Sequence, residues 1–124
     1  MKNGDFVVYL AGPMSGYEDY NFPAFNAAAE KLRSMGFVVI NPAETAGGCA
    51  TLPRASYFRY DFSVINALCD AIVVLPGWDQ SQGAQAESII TTEIGLPIYL
   101  YDEEKGLGGR VIIKEWAISW EVQQ

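Results

Sequence analysis

The chain has 124 residues, 50% of them hydrophobic and 13% aromatic, a composition that supports one packed domain and excludes a disordered chain. Its net charge is −7 and its Lys and Arg residues form no cluster, so we expect it to bind neither nucleic acid nor an anionic membrane. The sequence contains no histidine, which excludes Ser-His-Asp catalysis, Cys-His catalysis and a His-ligated metal. We therefore predict a single domain over residues 1–124, without metal or cofactor, whose chemistry rests on carboxylates, hydroxyls, amides and backbone.

The cellular compartment follows from the cysteines and from hydropathy. Cys49 and Cys69 form no Cys-x-x-Cys pattern. The sequence shows neither a signal-peptide pattern nor an apolar run of about 18 residues. We expect a cytoplasmic protein with reduced thiols.

Apolar runs and helical periodicity alternate along the chain. The predicted strands are Asp5–Leu10, Phe37–Ile40, Ala71–Leu75 and Ile98–Tyr101, and the predicted helices are Asn21–Met35, Ala55–Cys69 and Ser81–Ile94. This β-α-β-α-β-α-β order indicates right-handed crossovers. We predict an α/β fold of Rossmann-like or flavodoxin-like type, with a parallel sheet of four or five strands and helices on both faces.

The C-terminal segment from Arg110 to Val122 fits two patterns. Ile112, Trp116 and Trp120 have helical spacing, whereas Trp116, Ile118, Trp120 and Val122 alternate as in a strand. We favour a final strand or strand-like arm. Two tryptophans at the end of a small domain indicate contact with a partner subunit.

The stretch Leu75–Glu87 has the layout of a ligand site. It leaves an apolar strand, passes through a Gly/Pro/Ser turn and enters a helix. In α/β sheets ligands bind at such places, where the free N–H groups of the helix meet an anion. Glu87 lies early in that helix. From its position alone, Glu87 could equally be an acid that complements the helix dipole.

Three segments in register resemble a known family. Tyr9–Pro13, Tyr60–Val74 and Ser81–Glu87 are similar to the motifs of the nucleoside 2-deoxyribosyltransferase superfamily, and the resemblance covers roughly residues 5–101. It is closest to short phage and bacterial members and to the branch of 2′-deoxynucleoside 5′-monophosphate N-glycosidases. The resemblance implies an enzyme that cleaves an N-glycosidic bond.

The resemblance also assigns catalytic roles. Glu87 matches the family's nucleophile, a carboxylate that attacks or stabilises the anomeric carbon in an oxocarbenium-like transition state. Asp61, which we expect near the start of the second helix, matches an acid that orients the nucleophile or handles a proton. Tyr9 matches a hydrogen-bond partner of the nucleophile, although a tyrosine at a strand end is also a common core residue.

The substrate-binding positions come from the same motifs. Gly12 and Gly83 allow close approach of the backbone to a ligand, although Gly83 could equally be an ordinary glycine at a helix start. Pro13 belongs to the same motif as Gly12 and is also predicted to bind the substrate. Ser81 matches the serine of the monophosphate branch, which contacts phosphate, and it also fits an ordinary helix N-cap. Ser15 stands where that branch has a basic residue, so phosphate binding would rest on Ser15, Ser81 and backbone amides, with Arg54 or Arg59 as possible additions.

Aromatic residues near these loops suggest a place for the base. Trp78 precedes the second loop, and Tyr17 and Tyr20 lie in the first. Each could stack on a base or could cover the surface.

Two functions remain open at this point. The first is cleavage of a nucleoside or deoxynucleoside 5′-monophosphate by hydrolysis or base transfer. The second is a non-catalytic module that binds or senses a nucleotide, because a fold alone does not define a function. The presence of both Asp61 and Glu87 favours the enzyme. Family members complete each site with a residue of a neighbouring subunit, so we also expect a homodimer or higher homo-oligomer.

Overall fold

The fold is a mixed β-sheet with helices on both faces. The structure, a computed structural model, describes residues 6–45, 54–115 and 119–123. Within those residues six strands form one sheet in the order β2-β1-β3-β4-β5-β6. The strands are β1 (Val7–Ala11), β2 (Val38–Ile40), β3 (Ala71–Val74), β4 (Ile98–Asp102), β5 (Gly106–Glu115) and β6 (Ser119–Gln123). The α-helices are α1 (Phe22–Ser34), the single turn α2 (Pro42–Thr45), α3 (Arg54–Leu68) and α4 (Gln82–Glu93).

The first four strands are parallel, in the flavodoxin-like order 2-1-3-4. They are the four strands that the apolar runs predict, with bounds that differ by one or two residues. Their near-continuous hydrophobicity follows from burial on both faces. All four residues of β3 are buried. The α/β class and this parallel core are confirmed.

The prediction of a purely parallel sheet with four or five strands is wrong. The C-terminal segment forms an antiparallel hairpin of β5 and β6, which extends the sheet beyond β4. The link between β4 and β5 is a tight turn: the Asp102 carboxylate accepts the backbone N–H groups of Glu104 and Lys105, each at 2.8 Å, and Gly106 has φ +78°. So short a connection can join only antiparallel strands.

Two hydrophobic layers lie on opposite faces of the sheet. One face packs against α1 through Phe25, Ala28, Ala29 and Leu32. The other face contains Tyr9, Ile72 and Val111 together with Ile65 of α3 and Ala84 of α4. Successive residues of β1 alternate between the layers, so Val8 and Leu10 face α1 while Tyr9 and Ala11 face the opposite layer.

The direction in which successive strands are added to the sheet reverses between β1 and β3. The connection after β1 leads outward to β2, and the connection after β3 leads to β4 on the other side. Loops that diverge in this way leave a crevice at the carboxyl ends of the two strands. At the opposite end, the Asp70 carboxylate accepts the N–H of Val7 at 2.8 Å, so Asp70 ties the start of β3 to the start of β1.

Gly12 brings the two diverging loops close together. A Cβ atom at this residue would lie 2.9 Å from the Cβ of Leu75, which is fixed by its own backbone. We expect Gly12→Ala to lower the free energy of unfolding by about 2 to 3 kcal/mol, a cost typical of overpacking. Urea unfolding measures this loss.

Gly16→Ala is the control, because Gly16 has φ +83° and open space around its Cβ position. Its left-handed backbone alone should cost about 1 kcal/mol. A Gly12→Ala protein no less stable than Gly16→Ala would contradict the steric argument.

Candidate active site

A cavity of about 450 Å³ lies at the carboxyl ends of β1 and β3. Its volume is within the usual range of small-molecule pockets. It is lined by residues 9–15, Tyr17, Phe25, Pro42, Asp61, Gly77, residues 80–84 and Glu87. The cavity therefore occupies the crevice that the strand order creates.

Tyr9 and Glu87 meet at the inner wall of this cavity. The Tyr9 hydroxyl donates a hydrogen bond of 2.8 Å to Oε2 of Glu87. Tyr9 is 2% exposed and Glu87 is 7% exposed. Glu87 lies in the second turn of α4, on the side of that helix that faces the sheet, so β1 and α4 together position the pair. A carboxylate held this deep needs a polar partner, and Tyr9 supplies it.

Asp61 completes the cluster from a third element. Its carboxyl group interacts with the side chains of both Glu87 and Tyr9. The expectation that Asp61 lies near a helix start is wrong, because α3 begins at Arg54 and Asp61 lies in its middle. Asp61 therefore cannot cap this helix. An aspartate is unfavourable in a helix interior, and here it is partly buried and lines the cavity.

The surroundings of both carboxyl groups favour their protonated forms. Burial, followed by the charge of Asp61, raises the pKa of Glu87 well above its ordinary value. Burial also raises the pKa of Asp61, and its hydrogen bonds to Glu87 and Tyr9 partly oppose that change. Burial and the two carboxylates raise the pKa of Tyr9, so its hydroxyl stays protonated and acts as a donor. Two carboxyl groups in contact lose their protons one after the other, which creates one acid and one base.

The N-terminus of α4 forms one side of the cavity. Ser81 has extended backbone angles and its Oγ accepts the N–H of Ala84 at 3.3 Å, so it is the N-cap of the helix. Ser81 and Gly83 both line the cavity. The prediction of an N-cap is confirmed. The hydroxyl hydrogen of Ser81 can still be donated, because its role as a cap uses only a lone pair.

The loop after β1 forms the facing side. Gly12, Pro13 and Ser15 line the cavity as their motif predicts. The Asn21 side chain donates a hydrogen bond of 2.9 Å to the carbonyl of Pro13 and so closes this loop on itself. Asp19, Tyr20 and Asn21 all have positive φ angles, an uncommon conformation for residues other than glycine.

Of the three aromatic residues considered for base stacking, only Tyr17 lines the cavity. Trp78 is 4% exposed and packs against Trp120, with ring centroids 4.9 Å apart. Tyr20 is 60% exposed and contacts Phe22. The cavity is thus lined by every predicted catalytic residue, by every predicted substrate-binding residue except Trp78, and by Tyr17 but not Tyr20.

Several lining residues were not predicted. Gln80 and Gln82 flank Ser81 in the loop already singled out, so their proximity in sequence could have indicated them. Pro42 begins α2, directly after β2, and the rule that ligands bind at carboxyl ends of parallel strands could have indicated it. Phe25 comes from α1, and no local pattern distinguishes it from a core residue.

The described part of the lining contains neither Lys nor Arg. Arg59 is exposed and does not reach the cavity, and the side chain of Arg54 lies outside the part that the structure describes. No group of three or more His, Cys, Asp or Glu side chains among the described residues could hold a metal ion. Burial raises the pKa of the Cys69 thiol to about 12, so this cysteine is unreactive at neutral pH.

Fold and site together define a class: an α/β protein with a small-molecule cavity at the switch point of its sheet and a buried pair of carboxyl groups inside it. The family described as a domain of unknown function, DUF4406, matches residues 6–100, and the chain belongs to this family. A search of curated proteins found no match. The helices among the described residues are all too short or too polar to cross a membrane.

Proposed function

We propose that the protein cleaves the N-glycosidic bond of a nucleoside or deoxynucleoside 5′-monophosphate, with Glu87 as the nucleophile or as the group that stabilises the oxocarbenium-like transition state. The observation that carries the proposal is the hydrogen-bonded cluster of Tyr9, Asp61 and Glu87 inside the cavity. Burying two carboxyl groups side by side lowers stability, and such arrangements concentrate at active sites.

The raised pKa values of the two carboxyl groups support a specific division of work. Glu87 attacks C1′ while the bond from C1′ to the base breaks, and the bonding electrons leave with the base. Because the pKa of Glu87 is the more strongly raised, Glu87 passes its proton to Asp61 before the attack, and Asp61 gives that proton to the departing base. Water then attacks C1′, its proton returns to Asp61, and Glu87 is released as a carboxylate. Hydrolysis then yields free base and sugar phosphate, whereas attack by a second base would yield transfer.

The separation of the carboxyl groups bears on the role of Asp61. In retaining glycosidases the two carboxyl groups are about 5 to 5.5 Å apart and flank the scissile bond. Here Asp61 and Glu87 are hydrogen-bonded to one another. That contact favours Asp61 as a proton carrier beside the nucleophile.

The 5′-phosphate would lie at the N-terminus of α4. First-turn N–H groups have no partner within a helix and attract anions. Ser81 and Gly83 belong to this end of the cavity, and Ser15 faces it from the other loop. Since no described lining residue is cationic, binding would depend on these neutral donors.

A panel of nucleosides and their 5′-monophosphates, with free base measured by chromatography, tests the proposal. We expect base release from monophosphates to exceed release from the matched nucleosides. The reverse preference would overturn the assignment of the phosphate. Tight nucleotide binding without turnover of any compound would favour the non-catalytic binding module instead.

We further propose that the protein is a homodimer or higher homo-oligomer. Apolar side chains remain on its surface, among them Tyr60 at 51%, Leu68 at 58% and Trp120 at 39% exposure. Trp116, the other tryptophan of the predicted interface, lies outside the described residues. Sedimentation velocity at micromolar concentration should give a mass of at least twice 13.6 kDa. A monomer would refute this.

A further inference from the structure

The contact between Trp78 and Trp120 joins the candidate site to a distant part of the chain. Trp120 lies on β6 and pairs with Ile113 of β5, so its indole belongs to the face of the hairpin that also carries Val111 and Val122. Trp78, Val111, Ile113 and Val122 belong to one hydrophobic layer. The hairpin begins at Gly106, beyond residues 6–100 of the family match.

Trp78 lies inside the loop that shapes the cavity. Gly77, one residue before it, and residues 80–83, shortly after it, all line the cavity, whereas its own side chain does not. The Trp78 carbonyl accepts the N–H of Ser81 at 3.1 Å, and the Trp78 N–H donates to the carbonyl of Leu75 at 3.1 Å. The backbone of Trp78 is thus connected by hydrogen bonds to both Leu75 and Ser81.

The Trp78 indole is held on one side by the core and on the other by Trp120. The two rings are 4.9 Å apart with an angle of 58° between their planes. Contact at this distance lies within the favourable range for aromatic pairs. Trp120 itself is 39% exposed, so its removal would open one side of Trp78 to water.

We propose that Trp120 is a positioning residue. By packing against Trp78 it holds the loop Gly77–Gly83 in the conformation that forms the cavity wall. The C-terminal hairpin thereby controls ligand binding at a site to which its described residues contribute no lining side chain. The kinetic part of this proposal rests on the function proposed above, and the structural part does not.

The test compares Trp120→Ala with Trp120→Phe and with Ile112→Ala. Phenylalanine keeps an aromatic ring against Trp78. Ile112 is partly buried in the same hairpin but pairs with Glu121 on the opposite face, so Ile112→Ala controls for a general loss of hairpin stability.

Amide hydrogen exchange followed by NMR needs no substrate. The amides of Ser81, Ala84 and Gln85 are protected by hydrogen bonds within the loop and the first turn of α4. In Trp120→Ala we expect them to exchange at least about tenfold faster, with β1 unchanged, because local opening exposes only the released segment. Equal rates in Trp120→Ala and Ile112→Ala would overturn the proposal.

Steady-state kinetics with the best monophosphate of the panel give the second readout. Trp120→Ala should raise KM about tenfold and change kcat by less than about threefold, because the cluster around Glu87 is untouched. Trp120→Phe should restore KM. An unchanged KM would refute control of binding. If no compound is turned over, the proposed function fails, while the exchange data still decide whether Trp120 positions the loop.

Discussion

Glu87→Gln is expected to abolish base release, by at least about 10³-fold, and at the same time to stabilise the protein. The amide keeps the shape of the side chain, can accept the hydrogen bond of Tyr9 and can donate one to Asp61. It cannot attack C1′. Rates of base release and thermal unfolding of the same preparation measure the two effects.

The gain in stability depends on pH in a defined direction. Burial and the charge of Asp61 raise the pKa of Glu87 in the folded state. A raised pKa means that the stability present at acidic pH is lost as the pH rises through the folded-state value. Glu87→Gln has no such loss, so its Tm should exceed that of the wild type by a few degrees at pH 8 and by less at pH 5, since about 1 kcal/mol corresponds to roughly 4 °C here.

Glu93→Gln is the matched control, because it makes the same change at an exposed position in the same helix. It should leave activity unchanged and stability within about 0.5 kcal/mol. A Glu87→Gln protein less stable than wild type at pH 8 would show that the carboxylate of Glu87 stabilises the fold. Its burial would then need no catalytic explanation.

Asp61→Asn is expected to reduce the rate of base release by about 10² to 10⁴-fold, the usual contribution of a positioned acid. Asparagine keeps hydrogen bonds to Glu87 and Tyr9 but cannot deliver a proton to the leaving base. Asp70→Asn serves as a control, since its side chain can still accept the N–H of Val7.

The pH dependence of base release shows whether Asp61→Asn loses activity because the proton carrier is missing or because the site is disrupted. In the wild type only the singly protonated pair is active, so the rate should rise and then fall with pH. In Asp61→Asn the alkaline fall should disappear. The acidic rise should remain, because Glu87 must still lose its proton before it can attack C1′. A profile of unchanged shape would contradict the role of Asp61 as proton carrier.

The fold could be predicted where burial of a strand produces a distinctive sequence pattern. Parallel strands covered on both faces are almost uniformly apolar, so β1 to β4 could be located. The segment after Asp102 is covered unequally on its two faces and alternates in polarity. Some of its apolar residues also have helical spacing, so the sequence fitted both a strand and a helix. Its decisive signal was the Asp102 turn, whose carboxylate accepts two backbone N–H groups.

The site was predictable to a similar extent. Tyr9, Asp61 and Glu87 are far apart in the chain, and motifs placed them at strand ends and on helices that converge on one edge of the sheet. The direction of a side chain within a turn has no comparable signal. Trp78 therefore could not be assigned to the core from its neighbours alone, although it lies between cavity-lining residues.

The most direct test is a crystal structure of the Glu87→Gln protein with a 2′-deoxynucleoside 5′-monophosphate. We expect C1′ about 3 to 3.5 Å from the amide oxygen introduced by the substitution, the distance of a reactive approach, with the phosphate beside Ser81 at the N-terminus of α4. A nucleotide bound outside this cavity, or bound with its phosphate or base where C1′ should be, would contradict the proposed function.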